Sequence, residues 1–192
     1  MPQHAHLPRL APEFYRGFAM VHWTLSIHDR KTGWLHDPFH SRFREVLLHA
    51  AVRYDFLCPV YCLMPDHAHM IWCGVDEASD QRNAIKFFKT HTKPLLTPAA
   101  WQRESYDNVL REKDRERNAF QAASYYILAN PVRTGLCAQV ADWPFSGAMA
   151  PGYPDLSPHD PAFWDLFWRI YAARRAADGG RSLTTAATGD ET

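Results

Sequence analysis

Long apolar runs are missing from this 192-residue chain. None approaches the ~18–20 residues that a membrane-spanning helix requires. Residues 1–12 are polar and carry proline and histidine, without the apolar centre of a signal peptide. Cysteine is scarce: Cys58, Cys62, Cys73 and Cys137 are the whole set. Cys58 and Cys62 lie four apart, but no second close pair completes a zinc set, so buried, reduced thiols are expected. Internal repeats and low-complexity stretches are absent. Net charge is absent too, with 21 basic against 21 acidic residues, and this counts against a nucleic-acid binder, since such proteins tend to be basic. What the chain does have is 46% apolar and 14% aromatic residues. That is enough to build the core of one domain, and it excludes a disordered chain.

Residues 18–27 alternate, with Met20, His22, Thr24 and Ser26 opposite Val21, Trp23, Leu25 and Ile27, and this predicts a strand. Asp37 before Pro38 suits a helix start. Phe39, Phe43, Val46, Leu47, Ala50 and Tyr54 then follow at helical spacing, predicting a helix over 38–54. Residues 56–64 and 67–74, separated by Pro65-Asp66, read as a β-hairpin. A second helix is expected to open at 75–79 and run to about His91. A short strand is expected at 106–110, and a third helix from Arg115 to Asn130, stopped by Pro131. Residues 131–154 read as irregular. Residues 161–177 carry Phe163, Trp164, Phe167, Ile170 and Tyr171 on an amphipathic helix. The order strand, helix, strand, strand, helix, strand is the ferredoxin-like α+β pattern. The expected division is a loose arm at 1–12, a main domain at 13–146, a helical extension at 147–177 and a mobile tail at 178–192.

Three features bear on chemistry. His67 and His69 lie two apart on a predicted strand, so both imidazoles leave the same face and can converge on one metal ion. His4 and His6 repeat the pattern in the arm, where no scaffold supports them. Tyr126 and Asn130 are separated by one helical turn and would project together; a phenol oxygen can act as a nucleophile and an amide oxygen as a hard ligand. Equally, Tyr126 could pack in the core and Asn130 could end a helix, and Tyr125 is a competing phenol about 100° away. The neutral total also hides a pattern. Residues 81–133 are net +5, whereas residues 1–80 are −2 and residues 134–192 are −3. Arg82, Lys86, Lys89 and Lys93 fall on one helical face within the basic segment.

Together these pieces resemble one family. Tyr61-Cys62-Leu63-Met64-Pro65-Asp66-His67-Ala68-His69-Met70-Ile71 resembles the His-hydrophobic-His signature of the single-tyrosine HUH transposases, and in particular of the REP-associated tyrosine transposases. Trp101-Gln102-Arg103-Glu104-Ser105-Tyr106 resembles their Trp-Gln block. Tyr126-Ile127-Leu128-Ala129-Asn130-Pro131 resembles their nucleophile helix, and Trp143-Pro144-Phe145-Ser146 also fits. The resemblance spans residues 18–146. It implies a ferredoxin-like HUH fold and an enzyme that cleaves and rejoins single-stranded DNA beside hairpins such as repetitive extragenic palindromes. Tyr126 would form a 5′-phosphotyrosine. His67, His69 and Asn130 would hold Mg²⁺ or Mn²⁺. DNA would contact Arg82, Lys86, Lys89, Lys93, Arg103 and Arg133. The setting would be the bacterial cytoplasm, at the nucleoid when DNA is bound, and the active unit a monomer or homodimer. The main departure is the stretch Tyr106-Asp107-Asn108, where relatives often carry a histidine and this chain has none; no catalytic role is assigned to it. A hairpin-binding protein without catalysis is the alternative reading.

Overall fold

In the computed structural model, which describes residues 10–186, five antiparallel strands form one sheet in the order β4-β1-β3-β2-β5. They are β1 (Met20–Ser26), β2 (Phe56–Met64), β3 (His67–Gly74), β4 (Tyr106–Val109) and β5 (Ser146–Met149). The first four, with helices α1 (Asp37–Arg53) and α2 (Gln81–Thr92), reproduce the ferredoxin-like order read from the sequence. The β2–β3 hairpin has the expected bounds. Pro59 cannot donate to a ladder, and the β2–β3 register shifts between Leu57 and Val60, where it sits.

Alternation along the strands divides the core into two layers. Val21, Trp23, Leu25, Ala68, Met70 and Trp72 point to one face, where α1 brings Phe39, Phe43 and Leu47 and α2 brings Ala84, Ile85 and Phe88. Met20, Leu57, Val60, Cys62, Ile71 and Cys73 point to the other face. There they meet Phe120, Ile127 and Leu128 of α4 (Arg117–Leu128) and Phe163, Phe167, Ile170 and Tyr171 of α6 (Phe163–Ala186). Every residue of β2 is buried, since helices cover both faces and β3 and β5 cover both edges.

Several local expectations need correction. The cap of α1 is His36, whose Nδ1 accepts from the Phe39 amide, and Asp37 lies inside the helix. Residues 75–79 do not open α2. They form a turn in which Asp76 accepts from the Ala78 amide, and Asp80 then caps the helix by accepting from the Asn83 amide. The single helix expected over 115–130 is three pieces: α3 (Glu112–Arg115), α4, and α5 (Asn130–Arg133). Glu116 is extended (ψ 137°), which parts α3 from α4. Pro131 has no amide to offer the carbonyl four residues back, and α4 stops at Leu128. Part of the stretch expected to be irregular is β5, which pairs with β2 while the Trp143 indole N–H donates to the Leu63 carbonyl. The boundary expected at residue 146 therefore falls inside the sheet. The last helix passes residue 177 and continues to Ala186, into the segment expected to be a tail. The greater part of the expected arm, with His4 and His6, lies outside the described residues, as does the tail beyond residue 186.

Candidate active site

The β2–β3 turn is clamped from three sides. The Trp34 indole donates to the Pro65 carbonyl (2.6 Å), the Ile27 amide donates to the Asp66 carbonyl (2.9 Å), and Arg30 Nη1 donates to Asp66 Oδ2 (3.0 Å). This fixes Asp66 beside the first residue of β3. Its other oxygen, Oδ1, lies 2.6 Å from His67 Nδ1. Burial pushes the Asp66 carboxyl up, but the hydrogen bonds and charges of His67 and Arg30 outweigh it and hold the group below the usual carboxylate range.

His67 and His69 leave the same face of β3, and their Nε2 atoms approach to 3.1 Å. The far nitrogen of each ring is occupied. His67 Nδ1 meets Asp66, while His69 Nδ1 lies 3.1 Å from both Thr24 Oγ1 and His22 Nε2. Both of these partners come from β1, where Thr24 pairs in register with His69. Burial first, then the neighbouring His22, His67 and Arg30, lowers the His69 pKa to about 3. Burial lowers that of His22 to about 4. His69 is thus neutral at pH 7, as a metal ligand must be.

The donor set fits a divalent ion. Two metal–nitrogen bonds of ~2.1 Å at a right angle place the nitrogens about 3 Å apart, close to the observed separation. Each ring also has a partner on its far nitrogen. No third His, Cys, Asp or Glu joins the pair among the described residues. Such a site keeps open positions for phosphate, water or an amide.

Helix α4 lies over the same face of the sheet, anchored by Phe120, Ser124, Ile127 and Leu128. Its tyrosines face outward: Tyr126 is 56% and Tyr125 63% exposed. The Arg133 guanidinium lies 4.1 Å from the centre of the Tyr126 ring. Asn130 opens α5 beyond the break at Ala129, so the one-helix geometry behind the Tyr126/Asn130 pairing does not hold as drawn from the sequence. The Asn130 carbonyl accepts from the Thr134 amide and hydroxyl.

The basic residues are not one surface. Arg82, Lys86 and Lys89 are on α2, which packs on the opposite face from the histidines, and Lys93 follows it. The Arg82 guanidinium lies over the Tyr15 ring (5.9 Å). Lys89 Nζ donates to the carbonyls of Gln102 (2.7 Å) and Arg103 (2.9 Å), so it ties down the loop before β4. Lys86 and Lys93 are exposed, and the Arg103 side chain is 98% exposed. Lys89, Lys93, Trp101, Gln102 and Arg103 line a cleft of about 260 Å³. Sequence reasoning missed three residues of the site: His22, Thr24 and the carboxylate of Asp66. The alternation of β1 puts His22 and Thr24 on its polar face, but only the pairing register brings them to His69.

The structure brings a His-x-His pair and a tyrosine-bearing helix to one face of a ferredoxin-like sheet, the arrangement that the sequence resemblance implies. Comparisons agree. No family model matches the chain. An Escherichia coli REP-associated tyrosine transposase is 28% identical over 131 residues, covering 65% of this chain and 73% of the relative. A Haemophilus influenzae protein provisionally named for the same family is 23% identical over 163 residues, covering 77% of this chain and 89% of that protein. A solved REP-associated tyrosine transposase, bound to a REP hairpin, superposes with a TM-score of 0.61 at 22% identity, covering 74% of this chain and 81% of the other. The chain is thus similar in sequence to two proteins named as REP-associated tyrosine transposases and similar in fold to a third.

Proposed function

We propose that this chain cleaves and rejoins single-stranded DNA beside a hairpin, using a divalent ion held by His67 and His69 and a covalent bond through Tyr126. The observation that carries the reading is the 3.1 Å approach of two Nε2 atoms whose far nitrogens are already engaged, on the sheet face that α4 covers. When bound, the ion acts as a Lewis acid on a phosphate oxygen. Imidazole donors by themselves favour zinc or other transition metals over magnesium, so Mn²⁺ is the more informative probe. Asn130 is the proposed third donor.

Tyr126 Oη attacks phosphorus. The new bond is Tyr–O–P, and the bond that breaks releases a 3′-OH. The 5′-phosphotyrosine keeps the bond energy, so a 3′-OH can reverse the step without ATP. Arg133 holds the phenol ring through its face and sets a cation beside the incoming phosphate. Lys86, Lys93 and Arg103 are the proposed backbone contacts, with Arg82 and Lys89 supporting that surface from within. The hairpin substrate is inferred from the relative bound to a REP hairpin.

The test mixes the protein, Mn²⁺ and labelled hairpin DNA with single-stranded flanks. A covalent protein–DNA adduct is expected. It should vanish in Tyr126→Phe and survive in Tyr125→Phe. Normal cleavage by Tyr126→Phe, or loss of the adduct in Tyr125→Phe alone, would overturn the assignment of the nucleophile.

A further inference from the structure

His22 takes no step in the reaction proposed above, yet it touches the proposed ion-binding pair from behind. It lies on β1, and its ring centre is 5.2 Å from that of His69, tilted by 43°. Its Nε2 is 3.1 Å from His69 Nδ1. If His69 Nε2 faces an ion, the ring carries its proton on Nδ1 and that N–H must donate. The acceptors within reach are His22 Nε2 and Thr24 Oγ1.

We propose that His22 is a positioning residue: its Nε2 accepts the Nδ1–H of His69, fixing the tautomer and ring angle that present Nε2 to a divalent ion. The inference rests on the ion-binding reading of His67 and His69. A neutral ring nitrogen is a stronger acceptor than a hydroxyl oxygen, so His22 takes the larger share of the bond and Thr24 the smaller. The two ligands are then backed by different chemistry. His67 leans on a carboxylate that is itself neutralised by Arg30. His69 leans on an uncharged ring. A second carboxylate at position 22 would cancel more of the ion's charge and repel the DNA phosphate; an imidazole orients the ligand without doing either.

The test uses the full chain without DNA and Mn²⁺ alone as the probe, with the electron paramagnetic resonance signal of free Mn²⁺ reporting occupancy. Losing an outer partner of a ligating histidine weakens metal binding about 10–100-fold. That loss is expected in His22→Leu, with the unfolding midpoint in the presence of a chelator checked in parallel. His22→Gln places an amide oxygen close to where Nε2 stood and should bind within about threefold of the parent. Thr24→Val should cost less than His22→Leu. In diamagnetic protein loaded with Zn²⁺, which imidazole binds well, a nitrogen–nitrogen scalar coupling across the His69–His22 hydrogen bond is expected, and this needs no variant to fold. Unchanged Mn²⁺ affinity in a folded His22→Leu, equal loss in His22→Gln and His22→Leu, or absence of the coupling would each overturn the proposal while leaving the ion site standing. If the parent binds no Mn²⁺, or His67→Ala binds it as well as the parent, the ion-binding reading itself falls and takes the proposal with it.

Discussion

Acid should loosen this protein through the histidines of its site, by an amount the structure lets one estimate. Burial lowers the His22 pKa to about 4. Burial, followed by the nearby His22, His67 and Arg30, lowers that of His69 to about 3. In the unfolded chain both return to about 6.5. Between these limits the unfolded state binds protons that the folded state refuses, so stability falls as pH drops below about 6.5 and continues to fall to about 4 for His22 and 3 for His69. At 1.36 kcal/mol per pKa unit, going from pH 7 to 4.5 costs roughly 2–3 kcal/mol for each histidine. Together that is a large share of the ~5–15 kcal/mol that holds a domain folded. The assay is urea unfolding of the full chain with a chelator present, at pH 7 and pH 4.5. In His22→Gln the acid loss should shrink by about 2–3 kcal/mol, because one refused proton is gone from the cycle. Equal acid losses in parent and variant would refute the reasoning, as would imidazole resonances of His22 and His69 titrating near 6.5 in the folded protein.

Two other outcomes follow from contacts described above or adjoining them. Lys89→Met should lower the melting temperature by freeing the loop at 102–105, whereas Lys93→Ala should leave it unchanged and flatten the salt dependence of hairpin binding, measured by fluorescence anisotropy across a salt series. Gly147→Ala should destabilise by about 1–3 kcal/mol in urea unfolding, since its Cβ would stand 2.6 Å from the buried Tyr61 Oη, and Tyr61→Phe should recover part of that loss.

Much of the fold was legible because the pattern there is local. The β2–β3 hairpin is two apolar runs around a Pro-Asp turn, and its bounds were read directly. The His-x-His pair was visible for the same reason: strand alternation alone puts both rings on one face. What escaped was set by distant partners. Ser146, Gly147, Ala148 and Met149 have little strand propensity of their own, and they form β5 because β2 offers an open edge. His36 caps α1 through a ring nitrogen, outside the usual Ser, Thr, Asp and Asn. The basic stripe on α2 was correct as periodicity, but Lys89 is turned inward by carbonyls 13 and 14 residues further along. His22 is, by sequence, one residue in an alternating strand; only the register of β1 against β3 gives it a neighbour.

The fifth strand bears on where the molecule can be cut. A chain ended at residue 146, where the family motifs stop, would strip β2 of its outer partner. The most apolar strand of the protein would then become an open edge, with bare amides and carbonyls available to any passing strand. The same cut would remove α6, whose Phe163, Phe167, Ile170 and Tyr171 share one buried cluster with Leu57, Val60, Ile71 and Cys73 on the histidine-bearing face. The last part of the chain is therefore a wall of the folded unit, and the shortest piece that keeps β2 paired on both sides and retains the buried α6 side chains must reach at least through Tyr171.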